Sequence, residues 1–259
     1  MSSKHRSIRV VCFVCGLALL AAARPARAAE IAAQAVTLSA AGQAIPATRF
    51  AAPGQAKRPA VILLPGRQGL EAFASYYRSQ AAALARAGLT AYLLDYYADE
   101  ADRARANDHE AAARQAWFRQ RAGVWFERVR DAVTAVLAEG RCSGKVGLVG
   151  FSQGGFVAVG VAGQDPRLGA LVVYYGGIPS VAKDAIDRLP PLLELHGDAD
   201  TVVSPTEGEA LVELARRLGN PASRTVFPGA GHGFSGPTDR EAQGRTIAFL
   251  QHWLDQNAH

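Results

Sequence analysis

The stretch Lys145-Val-Gly-Leu-Val-Gly-Phe-Ser-Gln-Gly-Gly155 joins a short apolar run to a glycine-rich turn, and small residues follow it. Its centre fits the pattern Gly-x-Ser-x-Gly. Between a strand and a helix, such a turn is sharp and strained, and it exposes the serine hydroxyl at the edge of a sheet. The flanking glycines are required because a Cβ would collide with neighbouring backbone. The stretch therefore predicts that Ser152 is a nucleophile; the alternative is a chance Gly/Ser turn.

Short apolar runs on both sides of this turn alternate with longer helical patterns. Runs that are apolar on both faces are typical of central parallel strands covered by helices. We predict such strands at residues 59–65, 89–95, 145–150, 170–175, 191–196 and 224–227. We predict helices at residues 76–87, 110–137 (with a possible break at Gly123), 156–162, 206–218 and 240–256. The alternation indicates a mostly parallel, doubly wound sheet flanked by helices, with its chemistry at the carboxyl ends of the strands. With the Gly-x-Ser-x-Gly turn between a strand and a helix, it predicts an α/β-hydrolase fold.

A serine nucleophile needs an adjacent base, and His232 is the favoured candidate. It lies in the glycine-rich segment Gly229-Ala-Gly-His-Gly-Phe234, directly after the last predicted strand. His196, which ends the preceding strand, is the alternative. The expected chain order is nucleophile, acid, base, and this order favours His232. We therefore interpret His196 as a residue that orients the acid loop.

The acid of the triad should lie in the loop between these two histidines, where Asp198 and Asp200 both qualify. Its task is to fix the imidazole tautomer and to stabilise the imidazolium. We favour Asp200, because the segment Thr201-Val-Val203 after it could anchor it by packing. Asp198 would instead hold the loop through backbone hydrogen bonds. The predicted triad is Ser152, Asp200 and His232.

An oxyanion hole requires backbone N–H groups that point at the developing negative charge. One donor should be Gln153, the residue after the nucleophile. The second should come from the loop Pro65-Gly-Arg-Gln-Gly69, where Arg67 is the first candidate and Gln68 the next.

The N-terminus has the pattern of a signal peptide at residues 1–28. Basic residues precede an apolar run at residues 10–23, and Ala26-Arg-Ala28 provides a small-x-small cleavage site. The run is shorter than the ~20 apolar residues of a spanning helix. We therefore expect a protein exported to the periplasm or secreted, with one domain at residues 29–259; an uncleaved anchor is the alternative.

Charge and motifs limit the possible partners and cofactors. Five of the 28 basic residues lie in the N-terminal segment, so the rest of the chain balances its 23 acidic residues. A basic nucleic-acid surface is therefore not expected. Cys142 is the one cysteine outside this segment, which predicts a buried thiol and no internal disulfide. No motif for a metal, a nucleotide or another cofactor is found, and we expect neither a cofactor nor, after removal of the leader, a membrane.

Several segments together resemble the dienelactone hydrolase family across residues 59–253. The segments that carry the resemblance are Val61-Ile-Leu-Leu-Pro-Gly-Arg-Gln-Gly-Leu70, Asp95-Tyr-Tyr97, Gly150-Phe-Ser-Gln-Gly-Gly155, His196-Gly-Asp-Ala-Asp200 and Gly231-His-Gly-Phe234. The resemblance implies an α/β-hydrolase fold. It also implies that Asp200, the second aspartate of the His-Gly-x-x-Asp loop, is the triad acid and that His232 is the base.

The chain departs from that family at three positions. Dienelactone-cleaving members have a cysteine at the position of Ser152 and a glutamate at that of Gly66. They also have a substrate-binding arginine where this chain has Ala98-Asp99, and Arg103 and Arg105 are out of register. The departures favour a serine carboxylesterase that acts on a small-molecule ester.

Other functions remain open on the sequence. A dienelactone-type lactone hydrolase, a thioesterase or a peptidase could use the same triad, and a non-catalytic α/β-hydrolase-fold protein could bind a ligand or partner. The oligomeric state is not indicated.

Overall fold

The computed structural model describes residues 31–54 and 56–255 of the chain. The predicted signal peptide therefore lies outside the described residues. An eight-stranded sheet has the order β1-β2-β4-β3-β5-β6-β7-β8. Its strands are β1 (Ala32–Ala40), β2 (Gln43–Ala51), β3 (Arg58–Leu64), β4 (Thr90–Leu94), β5 (Cys142–Phe151), β6 (Leu168–Tyr174), β7 (Leu192–Gly197) and β8 (Ala222–Phe227). Strands β3 to β8 are parallel to one another, which confirms the predicted fold class.

Helices cover both faces of this sheet. They are α1 (Ala74–Arg86), α2 (Glu100–Ala106), α3 (Ala111–Ala138), α4 (Gln153–Ala162), α5 (Pro205–Arg217) and α6 (Gly236–Asp255). Helices α3, α4 and α5 enclose one hydrophobic core against the sheet. Helices α1 and α6 enclose a second core on the opposite face. Within the described residues, no helix combines the length and hydropathy needed to cross a bilayer.

All six predicted strands and all five predicted helices are present, with bounds that differ by a few residues. The possible break at Gly123 is wrong, since α3 runs through this position without interruption. A glycine inside a helix costs only about 1 kcal/mol relative to alanine. The buried side chains of Trp125 and Phe126, one turn further on, hold the helix against the sheet and outweigh that cost. The prediction that Cys142 is buried is confirmed.

Two parts of the fold were not predicted, the β1–β2 hairpin and helix α2. The hairpin is antiparallel and extends the parallel sheet at one edge. Its turn residues Ala41 and Gly42 have φ of 48° and 78°, as a tight hairpin turn requires. Most of β1 is exposed and rich in alanine, so it lacks the apolar runs that marked the other strands.

Asp102 ties the short helix α2 to the long helix α3. Its carboxylate accepts hydrogen bonds from the indole N–H groups of Trp125, at 2.8 Å, and Trp117, at 3.0 Å. Burial raises the pKa of Asp102, but the bond from Trp125 and those from the Ala98 amide and Arg121 outweigh it and hold the pKa below its ordinary value. The anchor fixes the segment between β4 and α3, which contributes to the site described next.

Candidate active site

Ser152 lies at the tip of the turn between β5 and α4. Its φ of 52° and ψ of −121° place a non-glycine residue in the left-handed half of backbone space, a strained conformation that functional sites often hold. A Cβ at Gly150 would lie 2.3 Å from the carbonyl oxygen of Gly154, and a Cβ at Gly154 would lie 2.3 Å from that of Pro65. Both positions therefore require glycine, for the steric reason expected from the sequence.

The structure places Ser152, His232 and Asp200 in one unbroken hydrogen-bond chain. His232 Nε2 lies 2.8 Å from Ser152 Oγ, and His232 Nδ1 lies 2.8 Å from Asp200 Oδ2. A carboxylate only accepts, so Nδ1 carries the proton and Nε2 is free to accept the serine hydroxyl. The ring of Tyr175 packs edge-on against the His232 imidazole, with centroids 4.7 Å apart. The histidine is therefore held in place on one side and accessible on the other.

Asp200 is held by backbone amides as well as by His232. Its Oδ1 accepts hydrogen bonds from Val202 N at 2.8 Å and from Val203 N at 3.0 Å. Burial raises the pKa of the Asp200 carboxyl, but the bonds from His232 and from these amides outweigh burial and hold the pKa below its ordinary value. Asp200 is therefore ionised at neutral pH and can stabilise an imidazolium.

Asp198 and His196, the alternative candidates for the acid and the base, are not part of the hydrogen-bond chain at Ser152. Asp198 Oδ1 accepts the amide of Gly229 at 2.6 Å and so ties the acid loop to the segment that carries His232. His196 does not contact Ser152. It is fully buried, and its two ring nitrogens bond to Glu194 and to the carbonyl of Val203. Glu194 was missed, although an acidic residue inside the apolar run 191–196 was a signal for it.

The loop after β3 is fixed on both sides of Arg67. The amide of Gly66 donates to Tyr77 Oη at 2.8 Å, so it is already engaged. The carbonyl of Arg67 accepts bonds from Tyr97 Oη at 2.7 Å and from Asn107 Nδ2 at 2.9 Å. Within the described part of the chain, the backbone N–H of Arg67 donates to no acceptor. This amide can therefore donate to a ligand.

A hydrogen-bond chain connects this loop to the residue after the nucleophile. The Gln153 side chain donates to Tyr97 Oη at 2.9 Å, and Tyr97 donates in turn to the Arg67 carbonyl. Gln153 is also the first residue of α4, where a helical N–H has no partner within the helix. Tyr97 thus links the Gln153 side chain to the Arg67 carbonyl, and so connects the two residues predicted to supply the oxyanion donors. The sequence had assigned no such role to Tyr97.

We expect the Tyr97→Phe variant to lower kcat for ester hydrolysis about 5- to 10-fold with little change in KM. Loss of one or two hydrogen bonds costs about 1 kcal/mol, and here the cost should fall on the geometry of the oxyanion donors. Steady-state kinetics measure both parameters. Tyr92→Phe is the matched control, since Tyr92 lies on β4, five residues before Tyr97, and its hydroxyl bonds to Glu139 instead. An equal loss of kcat in the control would contradict this role for Tyr97.

The arginines near the end of β4 are engaged within the protein. Arg103 pairs with Glu100, and its Nη1 lies 4.0 Å from Asp95 Oδ2. The Arg105 guanidinium lies over the Trp117 ring, 4.9 Å from its centroid. Asp99, at which the sequence lacks an arginine, caps helix α2 by accepting the amide of Asp102. The charge of Arg103 is therefore paired, and the Arg105 guanidinium is held against an indole.

Among residues 31–54 and 56–255, no group of three or more His, Cys, Asp or Glu side chains is arranged to hold a metal ion. A cavity near the end of β4 is lined by Asp95, Tyr97, Arg103 and Arg128, and Ser152, Asp200 and His232 are not among its lining residues.

Solved structures of similar fold include two dienelactone hydrolases. A putative dienelactone hydrolase from Klebsiella pneumoniae subsp. pneumoniae superposes with a TM-score of 0.72 at 19% identity, over 88% of this chain and 99% of that chain. The dienelactone hydrolase from Anabaena variabilis superposes with a TM-score of 0.70 at 21% identity, over 86% of this chain and 99% of that chain. At such identities the likeness shows the fold.

Sequence comparison adds two curated relatives and a family. A putative carboxymethylenebutenolidase from Yersinia pestis is 33% identical over 100 residues, 35% of this chain and 38% of the relative. A probable carboxylesterase from Oryza sativa subsp. japonica is 30% identical over 113 residues, 41% of this chain and 48% of the relative. The matches thus span less than half of either relative. The profile of the dienelactone hydrolase family matches residues 47–257. The chain belongs to the dienelactone hydrolase family.

Proposed function

We propose that this protein is a serine hydrolase that cleaves small carboxylic esters through an acyl-enzyme on Ser152. The observation that carries the proposal is the hydrogen-bond chain from Ser152 through His232 to Asp200, set on a strained turn. A binding protein has no need of all three groups in this geometry. The two curated relatives, named for a lactone-cleaving and an ester-cleaving activity, support the same reaction class.

The proposed reaction has two steps. Ser152 Oγ attacks the ester carbonyl while His232 Nε2 takes the hydroxyl proton, and Asp200 stabilises the imidazolium. The amides of Gln153 and Arg67 stabilise the oxyanion. The C–O bond to the alcohol breaks as His232 returns the proton to it. A water molecule, deprotonated by His232, then attacks the acyl-enzyme and releases the carboxylic acid and free Ser152.

We propose uncharged esters as the preferred substrates. The carboxylates of Asp95, Asp99 and Glu100 line the cavity at the end of β4, where they outnumber the guanidinium groups of Arg103 and Arg128, and this balance disfavours a second carboxylate. Serine in place of cysteine is a further difference from the dienelactone-cleaving members.

Steady-state kinetics on matched substrates test this function. We expect kcat/KM for p-nitrophenyl acetate and butyrate to exceed that for the mono-p-nitrophenyl ester of succinic acid at least ~10-fold, since an unpaired charge is costly to desolvate. A higher kcat/KM for the corresponding thioester would indicate a thioesterase, and a higher kcat/KM for the corresponding anilide would indicate a peptidase. Fastest turnover of the anionic ester would contradict the substrate class. Turnover of none of these compounds would favour a ligand-binding protein.

We further propose that residues 1–28 are a signal peptide and that the protein is periplasmic or secreted. The basic, apolar and small-x-small pattern supports this proposal. Intact-protein mass spectrometry of material from the periplasm or culture fluid should show an N-terminus at Ala29. A chain that keeps residues 1–28 would support an uncleaved anchor instead.

A further inference from the structure

The buried imidazole of His196 faces a hydrogen-bond acceptor at each of its ring nitrogens. Nε2 lies 3.1 Å from the carbonyl oxygen of Val203, and Nδ1 lies 2.7 Å from Glu194 Oε1. A carbonyl oxygen can only accept, so Nε2 must carry a proton. One further proton then lies between Nδ1 and the Glu194 carboxylate. Its position decides whether the pair is charged or neutral.

The neighbouring charges place that proton on His196. Arg224 Nε lies 3.0 Å from Glu194 Oε2 and stabilises the carboxylate form of Glu194. Asp200 Oδ2 lies 3.4 Å from His196 Nε2 and stabilises the imidazolium form of His196. An imidazole is also the stronger base of the two groups in water. Both neighbours and the intrinsic basicities favour the ion pair.

Basic and acidic side chains alternate along a row that ends at the proposed triad. Arg224 on β8 is followed by Glu194 and His196 on β7, then by Asp200 and His232. Glu209 on α5 lies 4.0 Å from Arg224 at the outer end. Burial lowers the pKa of His196, but the bond to Glu194, together with Val203 and Asp200, outweighs burial and raises it.

We propose that His196 is an imidazolium at neutral pH that positions Asp200 and weakens its attraction for the proton on His232. Asp200 Oδ2 is shared, since it lies 2.8 Å from His232 Nδ1 and 3.4 Å from His196 Nε2. A positive charge beside this oxygen opposes a second one on His232. This effect on catalysis rests on the proposed function, whereas the charge of His196 does not.

Glu194→Gln is the variant that changes this charge with the least change in shape. A glutamine amide can donate to His196 Nδ1 and accept from Arg224 Nε, so both hydrogen bonds are kept while the ring becomes neutral. The Glu194 carboxylate packs directly against Gly208, where an added Cβ would lie 2.2 Å from Glu194 Oε1. A replacement at position 194 must therefore have the same size and shape as glutamate. The exposed Glu213→Gln on α5 is the matched control.

Nitrogen-15 NMR of histidine-labelled protein tests the charge directly. In the wild type, we expect both ring nitrogens of His196 to carry protons at pH 7, where an ordinary imidazole has lost most of its charge. In Glu194→Gln, Nδ1 should be unprotonated at the same pH. A singly protonated His196 ring in the wild type at pH 7 overturns the proposal, whether or not the protein hydrolyses esters and whether or not the variant folds.

The pH dependence of kcat/KM for p-nitrophenyl acetate tests the effect on the proposed triad. The acid limb should move to higher pH by about one unit in Glu194→Gln and stay in place in Glu213→Gln. A purely structural role would lower kcat/KM by the same factor at every pH. An acid limb that stays in place while NMR shows a neutral His196 overturns the coupling. If the wild type shows no turnover, the proposed function fails, and the NMR result on His196 still stands by itself.

Discussion

The Ser152→Ala variant is expected to lose at least about 10⁴-fold in kcat for p-nitrophenyl ester hydrolysis, with little change in its denaturation midpoint. Removing the nucleophile of a serine triad leaves only the contribution of substrate binding and of the oxyanion donors. Among the residues that the structure describes, the hydroxyl of Ser152 bonds to one side chain, that of His232, so its loss should leave the surrounding fold intact. Kinetics and denaturant unfolding on the same preparation measure both quantities.

His232→Ala should lose about as much activity as Ser152→Ala, and the double variant should lose little more. Residues that act as one unit give strongly non-additive losses. Asp198→Asn is the matched control, because this carboxylate bonds to the Gly229 amide and not to His232. We expect the control to lose less than about 10-fold. Turnover that survives in His232→Ala would contradict the assignment of His232 as the base.

Gly154→Ala is expected to destabilise the protein by several kcal/mol and to lower any remaining activity at least about 10³-fold. Its Cβ would lie 2.3 Å from the carbonyl oxygen of Pro65 and 2.5 Å from that of Leu64. Backbone atoms cannot move aside as a flexible side chain can, so the turn or the β3 loop must shift. Either shift displaces Ser152 from the predicted oxyanion donors. Denaturant unfolding and ester kinetics measure the two effects.

Gly123→Ala provides the matched control for that substitution, since it is the same change inside a helix. A Cβ at Gly123 would meet no atom within 4 Å. Alanine is also favoured over glycine in a helix by about 1 kcal/mol. We expect this variant to be equally or more stable and fully active. If Gly154→Ala behaved like the control, the steric account of the turn at Ser152 would be wrong.

The sheet was predictable because its central strands bury both faces. Runs such as residues 59–65 are apolar throughout, as expected of strands that are covered by helices on both faces. The site at Ser152 was predictable for a related reason. The parallel strands β5, β6, β7 and β8 are consecutive in the sheet, so residues that follow β5, β7 and β8 meet at one edge of the sheet.

The groups that hold the predicted site in place were not predictable. Tyr97 and Asn107 act through hydrogen bonds across 30 and 40 residues of chain, and no local pattern marks such partners. The β1–β2 hairpin was missed because it adds to the sheet edge through backbone pairing, with side chains that are mostly exposed. The periodicity of apolar residues in a sequence indicates which residues are buried. The hydrogen-bond partners and the hairpin depend instead on polar contacts, which periodicity does not reveal.

Covalent labelling with a fluorophosphonate tests the central claim most directly, because the probe reacts with an activated serine whatever the natural substrate is. Intact-protein mass spectrometry should show one adduct on the wild-type protein, and peptide mapping should place it on Ser152. Labelling should fall to background in Ser152→Ala and in His232→Ala, since the hydroxyl needs its base. An adduct on another residue, or a wild-type protein that remains unlabelled while folded, would contradict the proposal that Ser152 is a catalytic nucleophile.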